Sequence, residues 1–277
     1  MKQRNLLQGR AAAVTGMVLL LLILLVAVFA PTLAPYDPWA MGTPYLPPSS
    51  EHLLGTNDIG QDILSELIYG TRVSMFIGVC AALITTIIGT AVGVLAGYFG
   101  GIVDHILMAV TNVVIVVPSL PLTVVLVAYL QAGLWNIIIA LCVTAWAGTA
   151  RLIRAQVMQL RQQPFVQLER TLGMGNGYIM LVHILPNVSG IILTRGALSV
   201  ASAMLSEASL SFLGLGALGQ KSWGAILNNA FFRNGVVNNC WWWYYPPILC
   251  ICVCVVAFML IGSWDDRRSR GQNLLAM

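Results

Sequence analysis

The stretch FVQLERTLGMGNGYIMLVHILPN, residues 165–187, is polar, centred on glycines, and flanked by two long apolar segments. The whole chain has 277 residues, of which 58% are hydrophobic and only 9% are charged. An ordinary soluble domain carries about 25% charged residues, and so few charges could not cover a soluble surface. The composition therefore predicts a membrane protein in which this stretch connects two spans.

Six segments are long and apolar enough to be transmembrane helices, which need about 20 mainly apolar residues. The first contains MVLLLLILLVAVF. It exceeds the roughly 7 to 15 apolar residues of a signal peptide, so we interpret it as an uncleaved anchor. The sequence therefore predicts an all-α, polytopic membrane protein with spans at residues 11–30, 74–98, 105–130, 134–151, 188–213 and 246–262.

The positions of Lys and Arg predict the orientation, because short loops rich in these residues stay in the cytoplasm. Residues 31–71 contain neither. This pattern places both termini in the cytoplasm, and it also accounts for the net charge of +4, so we expect no nucleic-acid partner. The segments predicted to be cytoplasmic hold Lys2, Arg4, Arg10, Arg151, Arg154, Arg161, Arg170, Arg267, Arg268 and Arg270.

The chain divides into three predicted regions. Residues 1–72 hold the anchor, a Pro-rich outer segment and a short amphipathic helix, which apolar residues at helical spacing predict from Asn57 onward, with Thr56 or Asn57 as its cap. Residues 73–265 form the core with the loop 155–187, and residues 266–277 form a cytoplasmic tail. The amphipathic helix would place Gln61, Asp62 and Glu66 away from its apolar face.

The loop is predicted to fold as two short helices. The first has an apolar face and ends at Gly173, which would follow it as a C-cap glycine does. The second covers residues 177–185, and Pro186 closes the loop. From the residues alone, this pair is either a lever on which another protein acts or an interfacial helix pair resting on lipid.

Three features inside the spans are candidates for a translocation path. Pro118 and Pro121 predict a kink in the third span, since proline removes a backbone donor. Glu207 is an acid within the fifth span, where an ionisable residue indicates a functional site by default. Packing is the alternative for the prolines, and a structural hydrogen bond is the alternative for Glu207. The cysteines form no metal-binding pattern, and CWWWYY, residues 240–245, is either an aromatic belt or a substrate-facing surface.

Several motifs together resemble one family. The loop, with Gln167, Leu168 and Glu169, then Gly173, then Leu185 and Pro186, resembles the EAA signature of permease subunits of bacterial binding-protein-dependent ABC importers. The segments LGTNDIGQDILSELIYGTRVS, GYFGGIVD, ARLIRAQV, HILPN, EASLSFLGLG and SWGAIL are similar to the dipeptide, oligopeptide and nickel branch of that family.

The resemblance implies a type I importer permease in the bacterial inner membrane, working with a homologous second permease, two cytoplasmic ATP-binding subunits and an extracytoplasmic solute-binding protein. The chain itself would hold no cofactor and would not be an enzyme, because ATP and Mg would bind to the ATPase subunits. A small peptide is the expected cargo, and nickel or a metal chelate is the alternative. The residues implied in coupling to the ATPase are Gln167, Leu168, Glu169, Arg170, Thr171, Gly173, Leu185 and Pro186.

The chain departs from the family pattern at two places. Gln167, Leu168 and Glu169 stand where Glu-Ala-Ala is usual, so an amide replaces the first acid. Gln61 and Glu66 stand where arginines are common, which predicts an acidic outer surface able to tolerate a cationic cargo. Two other classes stay open at this point. One is an ion-coupled secondary transporter with Glu207 as a coupling group. The other is a membrane-embedded enzyme, although His52, His105 and His183 lie in separate predicted loops or loop edges on different sides of the membrane.

Overall fold

The computed structural model describes the backbone of residues 2–273 and the side chains of residues 11–262. The side chains of Lys2, Arg4, Arg10, Arg267, Arg268 and Arg270, and residues 274–277 of the predicted tail, lie outside the described part. Within that part the regular secondary structure is helical, apart from one isolated β-bridge between Thr56 and Asp62 in the irregular segment 34–62. The helices are α1 Lys2–Val28, α2 Ala30–Leu33, α3 Ile63–Phe99, α4 Gly101–Val116, α5 Ser119–Leu130, α6 Leu134–Arg161, α7 Pro164–Thr171, α8 Asn176–Tyr178, α9 Leu185–Leu210, α10 Trp223–Phe232 and α11 Trp241–Asn273, with π-helical turns at Ile179–Ile184 and Ser211–Leu215.

Five of the described helical segments are long and apolar enough to cross a membrane, and α4 with α5 makes a sixth if this bent pair is one span. The predicted all-α, polytopic fold is confirmed. The predicted third span is not one kinked helix, because it is divided into α4 and α5, which meet at 88°. The break falls at Val117 and Pro118, whose extended backbone separates the two helices.

The prediction of a separate amphipathic helix before the second span is wrong. The helix begins only at Ile63, where the Asp62 side chain accepts a hydrogen bond from the Ser65 backbone N–H at 2.9 Å. From there α3 runs without a break to Phe99, through the predicted boundary between residues 72 and 73. Residues 57–62 form a turn instead, in which the Asn57 side chain accepts the backbone N–H groups of Ile59 and Gln61.

The polar residues of this region are buried, because the outer segment and the loop before α10 fold over them. Lys221 donates to Glu66 Oε1 at 2.5 Å and to Gln61 Oε1 at 2.6 Å, while Asn57 Nδ2 donates to the same two oxygens. Gln61 Nε2 donates in turn to the Trp39 carbonyl at 3.2 Å. The cluster therefore ties the outer segment, the start of α3 and the loop before α10 to one another.

The aromatic stretch at residues 240–245 belongs partly to the core. Trp243 is fully buried and meets the ring of Tyr45, from the outer segment, edge-on at 6.2 Å. Trp241 and Tyr245 are exposed, as expected for an aromatic belt. Cys240 is buried beside them, and this burial raises the pKa of its thiol. The stretch thus anchors the outer segment as well as presenting aromatic rings outward.

Helices α3 and α6 approach closely along a row of glycines. A Cβ on Gly93 would lie 2.7 Å from the Ala150 carbonyl oxygen, and one on Gly97 would lie 2.8 Å from the Arg154 carbonyl oxygen. Small residues allow such backbone contact in a membrane, where no hydrophobic driving force brings helices together and close packing stabilises them instead. The close packing predicted for GTAVGVLAG, residues 89–97, is present between these two helices.

Gly93→Ala is expected to destabilise the protein by about 1–3 kcal/mol, because the new methyl group meets rigid backbone and must push α6 away. Gly148→Ala on α6 is the matched control, since a Cβ there has no atom within 4 Å and alanine favours the helix by about 1 kcal/mol. Thermal unfolding in detergent measures both. Equal midpoints for the two variants would contradict the packing account.

Candidate functional site

Helix α7 is the centre of the loop between α6 and α9. Pro164 lies in its first turn, where a missing backbone N–H costs nothing. Val166 is its one buried residue, and it packs in a cluster with Tyr98 of α3, Val157 of α6 and Ile184 of the π turn. The helix is therefore fixed to three other segments by a single apolar anchor.

Gly173 follows the end of α7 as predicted. Its φ is +79°, in the left-handed region that glycine adopts readily. The Gly173 N–H donates to the Arg170 carbonyl and the Met174 N–H donates to the Glu169 carbonyl, each at 3.1 Å. These two bonds are the pair of a Schellman motif, which satisfies the last carbonyls of a helix.

The second short helix of the loop does not end where the sequence predicted. Asn176–Tyr178 continues through the π turn Ile179–Ile184 into α9, and together with the turn after α9 this forms one 40-residue segment. Pro186 lies in the first turn of α9, where it is exposed and leaves the helix unbroken, while Leu185 packs partly against the Val166 cluster. The predicted closure at Pro186 is therefore wrong, and the loop runs directly into the span.

Polar contacts hold α7 against its neighbours. His183 Nε2 and Glu169 Oε1 lie 3.0 Å apart and join the π turn to α7. The Tyr98 hydroxyl donates to Asn176 Oδ1 at 2.8 Å, and the Arg170 guanidinium lies over the Tyr98 ring at 4.7 Å from its centre. Helix α7 is thus attached through Glu169 to the π turn, through Arg170 to Tyr98 of α3, and through Val166 to the apolar cluster.

The outer side of α7 carries an apolar row that nothing in the described chain covers. Phe165, Leu168 and Leu172 are 40%, 60% and 68% exposed. Their spacing of three and four residues places them on one helical face. Gln167 and Thr171 are also exposed; the Gln167 amide donates to the Gln162 carbonyl at 3.3 Å, and the Thr171 hydroxyl donates to the Leu168 carbonyl at 2.7 Å.

A cavity of about 360 Å³ lies among α3, α6, α9 and the broken span. Hydroxyl and small side chains dominate its wall, and Pro118 contributes to it at the break between α4 and α5, whereas Pro121 and Glu207 do not line it. The sequence analysis missed the serines of α9, although their helical spacing was a visible signal. The hydroxyl-bearing residues of the wall are Thr85, Ser119, Thr123, Thr144, Ser199, Ser202 and Ser206.

Glu207 is 1% exposed and makes structural hydrogen bonds. Its carboxylate accepts the Ser74 hydroxyl at 3.1 Å and the Ser211 hydroxyl at 2.7 Å. Ser74 Oγ also accepts the backbone N–H of Trp223 at 3.2 Å. The acid therefore joins α3, α9 and α10, which is the structural alternative weighed for this residue, and it lies away from the cavity wall.

The acids of the outer region are largely paired within the chain. Asp62 Oδ1 lies 2.9 Å from His52 Nδ1, Glu66 pairs with Lys221, and Asp58 Oδ2 accepts from Arg233 at 3.0 Å. The open acidic surface that would tolerate a cationic cargo is therefore not present at these three positions. Among the residues that the structure describes, no three His, Cys, Asp or Glu side chains gather as a metal site would require.

A family model described as the inner membrane component of binding-protein-dependent transport systems matches residues 89–271, which include the loop and most of the cavity wall. The chain belongs to this family. A second model, the N-terminal transmembrane domain of oligopeptide transport permease C, matches residues 9–48 of this chain. The membrane-embedded permease predicted from the loop motif is thereby confirmed.

Several relatives of this chain carry the names of transport permeases. The chain is 40% identical to the oligopeptide transport system permease protein OppC of Bacillus subtilis over 223 residues, covering 78% of this chain and 72% of that protein. It is 34% identical to the dipeptide transport system permease protein DppC of Haemophilus influenzae over 92% of this chain and 88% of the relative. The probable D,D-dipeptide permease DdpC of Escherichia coli is 35% identical over 93% of this chain and 86% of its own length.

Two solved structures share the fold. Both are inward-facing forms of the MetNI methionine ABC transporter, each 18% identical to this chain. One matches with a TM-score of 0.58 over 75% of this chain and 96% of its own, and the other with 0.61 over 76% and 97%. At this identity the likeness concerns the fold, which is that of an ABC importer permease.

Proposed function

We propose that this chain is one of two permease subunits of an ATP-driven importer for small peptides in the bacterial inner membrane, with both termini in the cytoplasm. Its partners are a homologous second permease, two cytoplasmic ATP-binding subunits and an extracytoplasmic solute-binding protein. The observation that carries the proposal is the exposed apolar row Phe165, Leu168 and Leu172 on a helix that is otherwise firmly attached. The distribution of Lys and Arg supports the orientation.

The apolar row suits docking of α7 into a groove of the ATPase, the mode in which a helix buries one face in a partner. ATP binding would draw the two ATPases together and move α7 with them. Val166, the contact between Glu169 and His183, and the unbroken helix from Asn176 would pass this movement to the spans. The sequence carries no GxxxxGK[ST] loop, so ATP, Mg and the hydrolysis reaction are assigned to the partners.

The cavity wall suits a peptide better than a metal ion. Its lining side chains carry hydroxyl groups but no charge and no imidazole or thiol. Hydroxyls can both donate to and accept from a peptide backbone, whatever its side chains. Nickel prefers imidazole and similar nitrogen ligands. The lining of the cavity therefore supports nickel as the cargo less well than a peptide. The names of the oligopeptide and dipeptide permeases among the relatives support the same assignment.

Uptake of a labelled dipeptide into cells that express the complete system tests the proposal. We expect uptake to persist when ion gradients are collapsed while ATP is maintained, and to be lost when residues 167–173 are scrambled. The ATPase should also co-purify with the unaltered chain and not with the scrambled one. Uptake that disappears with the ion gradient, from a chain that purifies alone, would support the secondary transporter instead.

A further inference from the structure

A polar groove of about 480 Å³ lies between the end of α6 and α7, lined by Met158, Arg161, Gln162, Gln167 and Arg170. Two of these side chains are guanidinium groups and two are amides, so all four polar groups offer hydrogen-bond donors. No acidic side chain is part of the lining. The groove therefore presents two positive charges and several N–H groups to whatever enters it.

Neither arginine is neutralised by an acid in the described part of the chain. Arg161 Nη1 donates to the Phe99 carbonyl at 3.3 Å, and Arg170 stacks on Tyr98. Two nearby acids are engaged elsewhere, since Glu169 contacts His183 and Asp104 binds Arg154. Both arginines also lie in the last turn of a helix, where the helix dipole favours a cation. That effect accounts for each position separately, but not for the convergence of two cations from two helices on one groove.

Gln167 makes this positive groove possible. Its uncharged amide lies in the lining together with Arg170. A carboxylate at that position would cancel one of the two charges, whereas the amide leaves both available. The groove therefore holds two positive charges and no negative one.

We propose that this groove binds a carboxylate side chain of the cytoplasmic ATPase subunit, held between Arg161 and Arg170. Guanidinium groups bind carboxylates through two parallel hydrogen bonds, which gives geometric specificity as well as affinity. The ATPase is the source of the carboxylate because the groove shares α7 with the apolar row on which docking is proposed to occur. The inference rests on the proposed function, and it specifies the chemistry that the partner must present.

Affinity measurements between the purified permease pair and the ATPase subunits provide the first test. The permease is placed in nanodiscs of neutral phosphatidylcholine, and binding is measured at about 50 mM and about 300 mM salt. We expect Arg170→Gln and Arg161→Gln each to weaken binding about tenfold and to reduce its salt dependence. Arg72→Gln removes one exposed charge near the opposite end of α3 and should leave both quantities unchanged.

Crosslinking provides the second test and identifies the acid. In Arg170→Lys, a carbodiimide activates the partner carboxylate, the new side-chain amine attacks it, an amide bond forms and the carbodiimide leaves as a urea. Mass spectrometry should then find the side chain at position 170 of this variant joined to an Asp or Glu of the ATPase.

The outcomes distinguish failure of the groove inference from failure of the proposed function. Unchanged affinity and salt dependence in both Gln variants, with no crosslink, would overturn the inference while the importer stands. An effect that appears only in nanodiscs with anionic lipid would assign the groove to a lipid headgroup and also overturn it. If the unaltered chain binds no ATPase at all, the proposed function fails together with the inference.

Discussion

Replacing Gly173 with valine is expected to abolish ATP-driven uptake while the protein still inserts into the membrane. A side chain at φ +79° is strained, by about 1–2 kcal/mol for an ordinary residue and more for a β-branched one. Relief of this strain would break the two hydrogen bonds that end α7 and change the path from α7 to Asn176. No atom lies within 4 Å of the added Cβ, so the effect would come from the backbone alone. Dipeptide uptake, normalised to the amount of chain in the membrane, measures it.

Two further variants distinguish this backbone effect from a general intolerance of the loop to substitution. Gly175 also has open space around a new Cβ, but its φ of −65° is ordinary for any residue, so Gly175→Val should retain most of the uptake. Gly173→Asn should be milder than Gly173→Val, because asparagine tolerates the left-handed region. Normal uptake by Gly173→Val would overturn the role given to this turn.

Replacing Lys221 with methionine is expected to destabilise the protein by about 3–5 kcal/mol, because it leaves Glu66 buried without its counter-ion. The Glu66 side chain is 1% exposed and that of Lys221 is 14% exposed, so water could not take over the lost contact. The outer segment should also loosen, since Gln61 loses the same partner. Thermal unfolding in detergent, together with protease sensitivity of residues 34–62, would report both changes.

The exposed pair on the same side of the molecule is the control. Arg233 is 50% exposed in its side chain where it meets Asp58, so Arg233→Met should cost no more than about 1 kcal/mol. Combining Glu66→Gln with Lys221→Met removes both charges, and this double variant should recover much of the lost stability. Equal losses for Lys221→Met and Arg233→Met would contradict a buried ion pair at Glu66.

The spans and the end of α7 could be predicted because their signals are local. Hydropathy over about 20 residues identifies a membrane helix, and Gly173 after an apolar face identifies a helix end. The third span shows the limit of such signals. Pro118 and Pro121 predicted a bend, but the 88° angle between α4 and α5 depends on how each half packs against other helices.

The wrong predictions concern positions whose structure depends on contacts with residues far away in the sequence. Gln61 and Glu66 were predicted to face outward because their partner Lys221 lies more than 150 positions away in the sequence. The loop closure predicted at Pro186 failed because the π turn Ile179–Ile184 directly precedes this proline, and such local adjustments let a helix continue past a missing N–H group. The groove around Arg161 and Arg170 likewise required the packing of α7 on α6 to become visible.

The continuous helical segment from Asn176 to Leu210 has a mechanical consequence. At about 1.5 Å per residue, its 35 residues amount to a rod about 52 Å long. One end holds the contacts with α7, and Ser199, Ser202 and Ser206 of the cavity wall lie towards the other. A tilt of about 5° around the middle of such a rod would move its two ends by about 2.3 Å in opposite directions. The permease could then close the cavity on one side of the membrane and open it on the other in a single rigid-body tilt, which needs no hinge inside the bilayer.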